Sequence, residues 1–209
     1  MDGQLSLNSF TKYNLGCGDV FLKGYLNVGY WQQLVPGSAY KDPNGVTGTY
    51  LLNHDITKGI PAGDNTLDVT YHSHFLEHLS YKDGWTFLRE CYRVLKPGGI
   101  HRIVVPDLEL WIKAYYTNDN FIFEKYLEHA LENDKELYGT KAAVFMGMLH
   151  NHEHKCGWDF EMLEYVLKKI GFHSIRKVMF QESALPEIAE IEKYGPLRAL
   201  VSLCVECVR

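Results

Sequence analysis

The sequence predicts an α/β domain whose mostly parallel sheet ends in an antiparallel hairpin. The first observation is that short strand-like runs alternate with helix-like stretches in the first half of the chain, the pattern of parallel sheets built from right-handed crossovers. The second is a pair of strand-like runs near the end of the chain. The predicted strands cover residues 13–15, 25–28, 49–53, 67–72, 100–105, 174–180 and 199–208.

Two amphipathic helices are predicted from apolar spacing and from residues that begin or end helices. Asp83 is the expected N-cap of a helix whose apolar residues recur at helical spacing from Trp85 to Leu95, and a Pro-Gly-Gly run ends it. Asp159 is expected to begin the second helix, and Gly171 follows its last turn. These helices cover strands of the predicted sheet.

Residues 107–158 are helix-like and rich in aromatic side chains and histidine. No linker or shift in composition divides the chain, so we interpret this stretch as a helical lid or substrate insertion within one domain of residues 1–209. Its aromatic residues either pack as a core or contact a substrate, and their helical spacing favours a core.

Composition argues against several classes of protein. The 209 residues are 46% hydrophobic and 22% charged, values of a globular domain rather than of a disordered chain. Lys and Arg number 21 against 26 Asp and Glu, and the net charge of −5 argues against nucleic-acid binding. No run approaches the roughly 20 apolar residues of a membrane span. The first residues do not resemble a signal peptide, so we expect a cytoplasmic protein.

The cysteines do not indicate a disulfide framework, because they are five in number and scattered. Cys204 and Cys207 form a CxxC pair within a predicted strand. Side chains three residues apart on a strand point to opposite faces, so we do not expect these two to share a metal or to form a redox pair.

A glycine turn follows the first predicted strand at Gly16 and Gly18. Open α/β sheets bind ligands at the carboxyl ends of their strands, and glycine lets the backbone pass close to a ligand. The dinucleotide-binding fingerprint is incomplete, however, because Phe21 stands at the position of its third glycine. By itself this turn is compatible with ligand binding and with a tight turn that binds nothing.

Four segments together resemble the class I S-adenosylmethionine-dependent methyltransferases. Residues 13–18 (YNLGCG) are similar to the first motif of that family, and Asp55-Ile56 to its adenine-side loop. Residues 64–78 resemble the fourth strand and following turn, and residues 89–99 (RECYRVLKPGG) the passage into the fifth strand. The subgroup that these segments resemble most is type 11-like and is often associated with polysaccharide or glycan biosynthesis.

This resemblance implies a Rossmann-like, seven-stranded sheet with an antiparallel C-terminal hairpin and a helical insertion after the fifth strand. It implies S-adenosylmethionine as the cofactor and O-methylation of a small-molecule or glycan acceptor by in-line displacement. A homodimer is a possible assembly. The residues expected to bind the cofactor are Asn14, Gly16, Cys17, Gly18, Asp55, Ile56, Ser73 and His74.

The sequence departs from the family at the end of the second strand. The family places there an acidic residue that binds the cofactor ribose, whereas this chain has Gly29. Tyr30, Gln32 or a folded-back loop of residues 30–48 are the open alternatives for that contact. The same departure motivates a second hypothesis, a catalytically degenerate scaffold with the methyltransferase fold.

Histidines and one aspartate supply the candidate catalytic residues: His74, Asp107, His150 and His152. A hydroxyl nucleophile needs a base, and these side chains are placed at or near the predicted pocket. His150, His152 and His154 would share one side only in an extended segment, where they serve as a base, as metal ligands or as neither. We assign no metal ligands.

The run His74-Phe75-Leu76-Glu77-His78 also matches the HxxEH motif of zinc peptidases. That motif requires a helix, whereas this one follows a predicted strand. A zinc hydrolase through His74, Glu77 and His78 is therefore a remote alternative.

Overall fold

A computed structural model of the chain describes residues 9–129, 136–193 and 195–209. Its described residues form one mixed sheet of eight strands in the order β3-β4-β2-β1-β5-β6-β8-β7. The strands are β1 (Lys12–Leu15), β2 (Leu26–Gly29), β3 (Ala39–Lys41), β4 (Tyr50–Asn53), β5 (Leu67–Ser73), β6 (Leu95–Pro106), β7 (His173–Val178) and β8 (Ser202–Val208).

The predicted fold class is confirmed. Strands β4, β2, β1, β5 and β6 run parallel, and β8 pairs antiparallel with both β6 and β7. The eighth strand, β3, pairs antiparallel with β4 at the sheet edge and lies in the stretch of residues 30–48 that was expected to be a loop. The parallel strands place the ends of β1 and β5 side by side at one edge of the sheet.

The helices are α1 (Tyr81–Val94), α2 (Leu108–Tyr116), α3 (Asn120–His129), α4 (Lys141–His150), α5 (Phe160–Ile170), α6 (Ile188–Ile191) and α7 (Pro196–Val201). Asp159 caps α5 as predicted, accepting a hydrogen bond from the Met162 amide at 2.8 Å. The predicted cap of α1 was wrong: the cap is Ser80, whose Oγ accepts from the Asp83 amide at 3.2 Å and donates to the Asp83 carboxylate at 2.6 Å.

The last two predicted strands are shorter than expected. Strand β7 ends at Val178, and residues 199–201 belong to α7 instead of β8. Pro196 explains the second difference, because proline in the first turn of a helix favours helix formation and loses no intrahelical hydrogen bond. This short helix carries Arg198 to the edge of the sheet where the site lies.

Residues 16–25 connect β1 to β2 without a helix. The buried Asn27 side chain stabilises this short crossover: its Oδ1 accepts from the Leu22 amide at 2.7 Å and from Asn14 Nδ2 at 2.9 Å. Its amide donates to the Leu22 carbonyl at 3.1 Å and the Tyr50 carbonyl at 3.0 Å. The hydrogen bonds of this one side chain thus hold the turn that carries the two glycines and tie it to β4.

The two faces of the sheet are covered differently. Helices α1 and α5 pack on one face over the main core, which contains Leu88, Leu163 and Cys207. A second apolar cluster on the other face includes Leu185 and Cys204, contributed by β8 and by the segment before it. Cys204 and Cys207 therefore point to opposite faces, as their spacing on a strand predicts.

Helices α2, α3 and α4 pack around a third apolar cluster that contains the buried Trp111 and Phe123. Tyr116, by contrast, is 89% exposed, so the aromatic residues of residues 107–158 only in part form a core. None of the described helices is long and apolar enough to cross a bilayer.

Candidate active site

A cavity of about 160 Å³ opens where β1 and β5 end, and we call it the glycine cavity. Six of the eight residues predicted to bind the cofactor line it together. They are Asn14, Gly16, Cys17, Gly18, Ser73 and His74. Asp19, Val20, Tyr71 and Arg198 complete the lining.

The two glycines of the turn have different roles. Both have positive φ angles, +64° at Gly16 and +47° at Gly18. A Cβ at Gly16 would lie 2.1 Å from Cδ2 of Phe75, whereas a Cβ at Gly18 would meet no atom within 4 Å. Gly16 is therefore required by packing, and Gly18 leaves open space beside the cavity.

Two polar side chains of the cavity wall also differ: one is hydrogen-bonded within the turn, and the other is left for a ligand. Asn14 donates to the Val20 carbonyl and to Asn27, both at 2.9 Å, so its amide is used to hold the turn. The Ser73 hydroxyl is buried, and no described residue hydrogen-bonds it. Because an unpaired buried hydroxyl is costly, Ser73 Oγ fits a polar group of a ligand in this cavity.

The two remaining predicted cofactor residues lie outside the glycine cavity. Asp55 caps a turn of 3-10 helix at Ile56–Lys58, where it accepts hydrogen bonds from the Thr57 amide at 3.1 Å and hydroxyl at 2.6 Å. These bonds lower the pKa of Asp55. Ile56 lines a separate cavity of about 340 Å³ with residues of α1.

Gly29 is the position where the family has an acidic residue, and the structure gives a steric reason for glycine there. A Cβ at Gly29 would lie 2.6 Å from the Trp31 indole and 3.1 Å from Sγ of Cys17. Asn53 holds Trp31 in place by bonding its amide at 2.8 Å and its carbonyl at 3.2 Å. Tyr30, one of the alternative ribose contacts, is half exposed and does not line the glycine cavity.

A second cavity of about 330 Å³ adjoins the first, and we call it the histidine chamber. Its polar wall consists of His74, Glu77, His78, His152, His154 and Arg198. Its apolar wall includes Trp111, Tyr126, Met148 and Val201, from the helical insertion and from α7. His74 and Arg198 line both cavities, and so form the boundary between them.

His74 is held at this boundary in a left-handed conformation, with φ of +52°. Its Nε2 lies 2.9 Å from Ser202 Oγ, and that hydroxyl donates to the Arg198 carbonyl at 2.5 Å. Since the only hydroxyl proton of Ser202 is used there, His74 Nε2–H is the donor. Its Nδ1 then faces Glu77 Oε1 at 3.2 Å. Burial lowers the pKa of His74, and the Glu77 carboxylate opposes that shift.

Glu77 is 1% exposed, and neither carboxylate oxygen has a hydrogen-bond partner among the described residues. Its backbone carbonyl accepts from the amides of Lys155 at 2.7 Å and Cys156 at 3.1 Å. These two bonds fix His154 beside Glu77, with Nε2 of the histidine 4.0 Å from Oε1. The other ring nitrogen, Nδ1, hydrogen-bonds the Met148 carbonyl at 2.8 Å.

Two of the four predicted catalytic residues, Asp107 and His150, do not line either cavity. Asp107 caps α2 through the Leu110 amide at 3.3 Å and pairs with Lys177 at 3.0 Å. His150 is exposed at the end of α4. The other two, His74 and His152, line the histidine chamber.

The histidine motifs do not adopt the geometries considered from sequence. Residues 150–154 are neither extended nor one helix, since a 3-10 turn at Asn151–Glu153 contains His152 with φ of +58°. The HxxEH run contains a 3-10 turn at Leu76–His78 rather than an α-helix, so the context of a zinc peptidase is absent. Sequence reasoning missed Arg198 altogether, because it immediately precedes the run of residues 199–208, which was predicted to be a strand.

Known proteins resemble this chain in sequence and in fold. A model of the methyltransferase domain family matches residues 14–103. A SAM-dependent methyltransferase from Archaeoglobus fulgidus aligns with a TM-score of 0.54 and 16% identity, over 95% of this chain and 85% of that chain. No curated protein matches the sequence.

Two further structures that share the fold are of proteins named for methylation of a small molecule. A possible histamine N-methyltransferase from Thermotoga maritima aligns with a TM-score of 0.50 and 17% identity, over 94% of this chain and 81% of that chain. Phosphoethanolamine N-methyltransferase 2 of Haemonchus contortus, in complex with S-adenosyl-L-methionine, aligns with a TM-score of 0.51 and 13% identity. That alignment covers 95% of this chain but 48% of the other, so this chain spans about half its length.

The strand order and the glycine cavity at the carboxyl ends of β1 and β5 define an α/β protein of the cofactor-binding class. Residues 14–103 match the methyltransferase domain family, and the chain shares the fold of S-adenosylmethionine-dependent methyltransferases over 95% of its length. It is a transferase, and its cofactor is S-adenosylmethionine. Open space at Gly18 and the unpaired Ser73 hydroxyl in the glycine cavity fit that cofactor.

Proposed function

We propose that the protein methylates a hydroxyl group of a small acceptor of the sugar class, held in the histidine chamber. The single observation that carries this proposal is the wall shared by the two cavities. His74 and Arg198 line both, so an acceptor in one cavity adjoins a methyl donor in the other. Adjacent sites that align two reactants provide much of the rate of a displacement reaction.

The reaction needs little from the protein beyond alignment and removal of a proton. S-adenosylmethionine supplies a methyl group on a positively charged sulfur when it is bound. The carbon–oxygen bond forms as the carbon–sulfur bond breaks, and the electron pair of the broken bond stays on sulfur. The hydroxyl proton passes to the polar wall of the histidine chamber, where a carboxylate and four imidazoles lie.

The chamber's size and lining support a small hydroxylated acceptor. Its volume of about 330 Å³ falls in the range of small-molecule sites. The Trp111 and Tyr126 rings provide an apolar wall of the kind that packs against a sugar ring. Trp111 Nε1 is buried without a hydrogen-bond partner among the described residues, so it can donate to an acceptor oxygen.

Calorimetric titration with S-adenosylmethionine and S-adenosylhomocysteine tests the donor half of this proposal. We expect one-to-one binding by the wild-type chain and a loss of at least tenfold in affinity for Gly18→Val. Gly98→Val is the matched control, because Gly98 also has positive φ and open space around it but lies outside both cavities. Absence of binding by folded wild-type protein would favour the degenerate scaffold.

Labelled methyl transfer to a panel of acceptors tests the other half. Monosaccharides and simple polyols represent hydroxyl acceptors, and small primary amines of similar size represent nitrogen acceptors. We expect labelled methyl groups to be transferred to members of the hydroxyl series, and we expect this transfer to be lost when His74 is replaced by alanine. Label confined to the amines would overturn O-methylation while retaining the methyltransferase.

A further inference from the structure

We propose that Glu77, His78 and His154 form a binding site for a divalent transition-metal ion such as Zn²⁺ in the wall of the histidine chamber. One ligand atom from each of the three residues lies within 4.8 Å of the other two. Ligands on a tetrahedral zinc ion are roughly 3.4 Å apart, given bonds of roughly 2.0–2.2 Å. Small side-chain rotations therefore suffice to bring all three onto one ion.

The Glu77 carboxylate is an independent indication of a cation. It is buried, and neither of its oxygens is hydrogen-bonded among the described residues. His74 Nδ1 faces Oε1 at 3.2 Å, but this nitrogen has no proton to donate when the neutral ring donates Nε2–H to Ser202. A buried carboxylate without partners is strongly unfavourable unless it is paired, coordinated or protonated. An ion between Glu77 and the two histidines would supply the missing interactions.

His154 is oriented as a metal ligand usually is. Its Nδ1–H donates to the Met148 carbonyl, so the lone pair of Nε2 points toward Glu77. Ligating histidines commonly use their second nitrogen in this way, which fixes the ring and its tautomer. The His78 ring packs edge-on against the His154 ring, with centroids 4.9 Å apart.

The backbone joins the two segments that supply the ligands. Two amides of residues 155 and 156 donate to the Glu77 carbonyl, so the loop carrying His154 is held against the turn carrying Glu77 and His78. The site therefore requires no ordering of a distant loop. Two imidazoles and one carboxylate suit zinc and its neighbours in the first transition series better than Ca²⁺ or Mg²⁺, which prefer all-oxygen sites.

Three protein ligands leave coordination positions open, and the chamber lies on that side. If the proposed function holds, the acceptor hydroxyl takes an open position, where the ion lowers the pKa of that hydroxyl and holds its oxygen toward the donor. This role rests on the proposed function, whereas binding of the ion does not.

Metal-stripped full-length protein is titrated with ZnCl₂ by calorimetry and with CoCl₂ by visible absorption. We expect one equivalent of either ion in the wild type, and at least tenfold weaker binding in Glu77→Gln and in His154→Asn. The matched control is His150→Asn, four residues from His154 but exposed and outside the chamber, which should bind like the wild type. Thermal melting with Zn²⁺ should show stabilisation of the wild type and of this control, but not of Glu77→Gln.

Two results would overturn the site: no stoichiometric binding by the wild type, or undiminished binding by both Glu77→Gln and His154→Asn. Titration of the metal-free protein with S-adenosylmethionine separates this proposal from the previous one. Donor binding without metal binding refutes only the ion, and metal binding without donor binding refutes only the methyltransferase activity.

Discussion

Ser202 accepts a hydrogen bond from His74 at 2.9 Å and thereby joins the end of β5 to the start of β8. The contact spans 128 residues of sequence and fixes the imidazole at the boundary between the glycine cavity and the histidine chamber. The orientation of His74 therefore depends on a residue that the motif around it does not include. His74 thus lies between the cavity proposed to hold the donor and the cavity proposed to hold the acceptor.

Replacing Ser202 should impair turnover more than it impairs donor binding. Ser202→Ala removes the hydrogen-bond acceptor for His74 Nε2, so the ring is no longer held at the boundary. We expect kcat to fall by about tenfold with the Kd for S-adenosylmethionine changed by less than about threefold, since a misplaced positioning group acts mainly on the reacting complex. Steady-state kinetics together with calorimetry measures both quantities.

Ser183→Ala is the control for that experiment. Ser183 Oγ donates a hydrogen bond to the carboxylate of Glu206, and neither residue lines either cavity. This variant therefore also loses a serine hydrogen bond. Its kcat should match the wild type. Equal loss of kcat in both variants would refute a specific role of Ser202.

The ion pair between Arg102 and Glu192 is the second target. Both side chains are fully buried, and two bonds of 2.9 Å join them, from Nε to Oε1 and from Nη2 to Oε2. Arg102→Met leaves a buried carboxylate unpaired, so the free energy of unfolding should fall by about 3–5 kcal/mol. Urea denaturation measures it.

The double variant Arg102→Met with Glu192→Leu distinguishes the loss of a pair from the loss of packing. Removing both charges leaves no unpaired buried charge, so this variant should be more stable than Arg102→Met alone. If the loss of stability in the double variant instead equals the sum of the losses in Arg102→Met and in Glu192→Leu, the two residues do not act as a pair.

Two buried histidines predict loss of stability in mild acid. Burial lowers the pKa of His101 to about 4 from an ordinary value of 6.5, and it lowers that of the adjacent His72 well below the same value. At a pH between the lowered pKa of the folded state and the ordinary value of 6.5, each histidine is protonated in the unfolded chain but not in the folded chain. Stability is therefore complete above about pH 6.5 and falls as the pH decreases toward about 4, by up to about 1.4 kcal/mol per pH unit for each histidine.

His101→Phe tests this explanation, because phenylalanine can retain the stacking on Phe172 without titrating. Denaturation at several pH values between about 4 and 7 gives the slope of the unfolding free energy against pH. In this variant that slope should be smaller than in the wild type by the equivalent of about one proton. His173→Asn, which removes an exposed histidine, should leave the slope unchanged. An unchanged slope in His101→Phe would contradict the assignment.

The two glycines of the turn should respond to alanine in opposite ways. Gly16→Ala places a Cβ inside the Phe75 ring, so the free energy of unfolding should fall by more than about 2 kcal/mol. Gly18→Ala meets no atom and should cost only the strain of a left-handed residue, about 1–2 kcal/mol. Thermal unfolding compares them.

Cofactor binding by these two variants gives a second comparison. Gly18→Ala adds a methyl group at the open side of the turn, so its affinity for S-adenosylmethionine should fall although its fold is retained. A Gly18→Ala variant that binds the cofactor as the wild type does would place the donor elsewhere than the glycine cavity.

The elements that the sequence predicted well are those specified by neighbouring residues. Apolar spacing and the Asp159 cap defined α5, and alternation with turn residues defined the parallel strands. Where two local signals competed, the prediction failed: Ser80 and Asp83 both suit a helix start, and Pro196 redirected a strand-like run into α7. Strand β3 was missed because edge pairing with β4 depends on a partner outside its own sequence.

The amino-acid sequence by itself determined the fold class, the resemblance to methyltransferase domains and the glycine turn, since these are encoded in local spacing and in motifs read in order along residues 14–103. Tertiary structure decided which polar side chains meet. Glu77, His154 and Arg198 come together through backbone contacts between distant segments, and Asp107 and His150 are placed outside the cavities. Spacing along a chain cannot specify such convergence, because it arises from how packed elements orient their side chains in three dimensions.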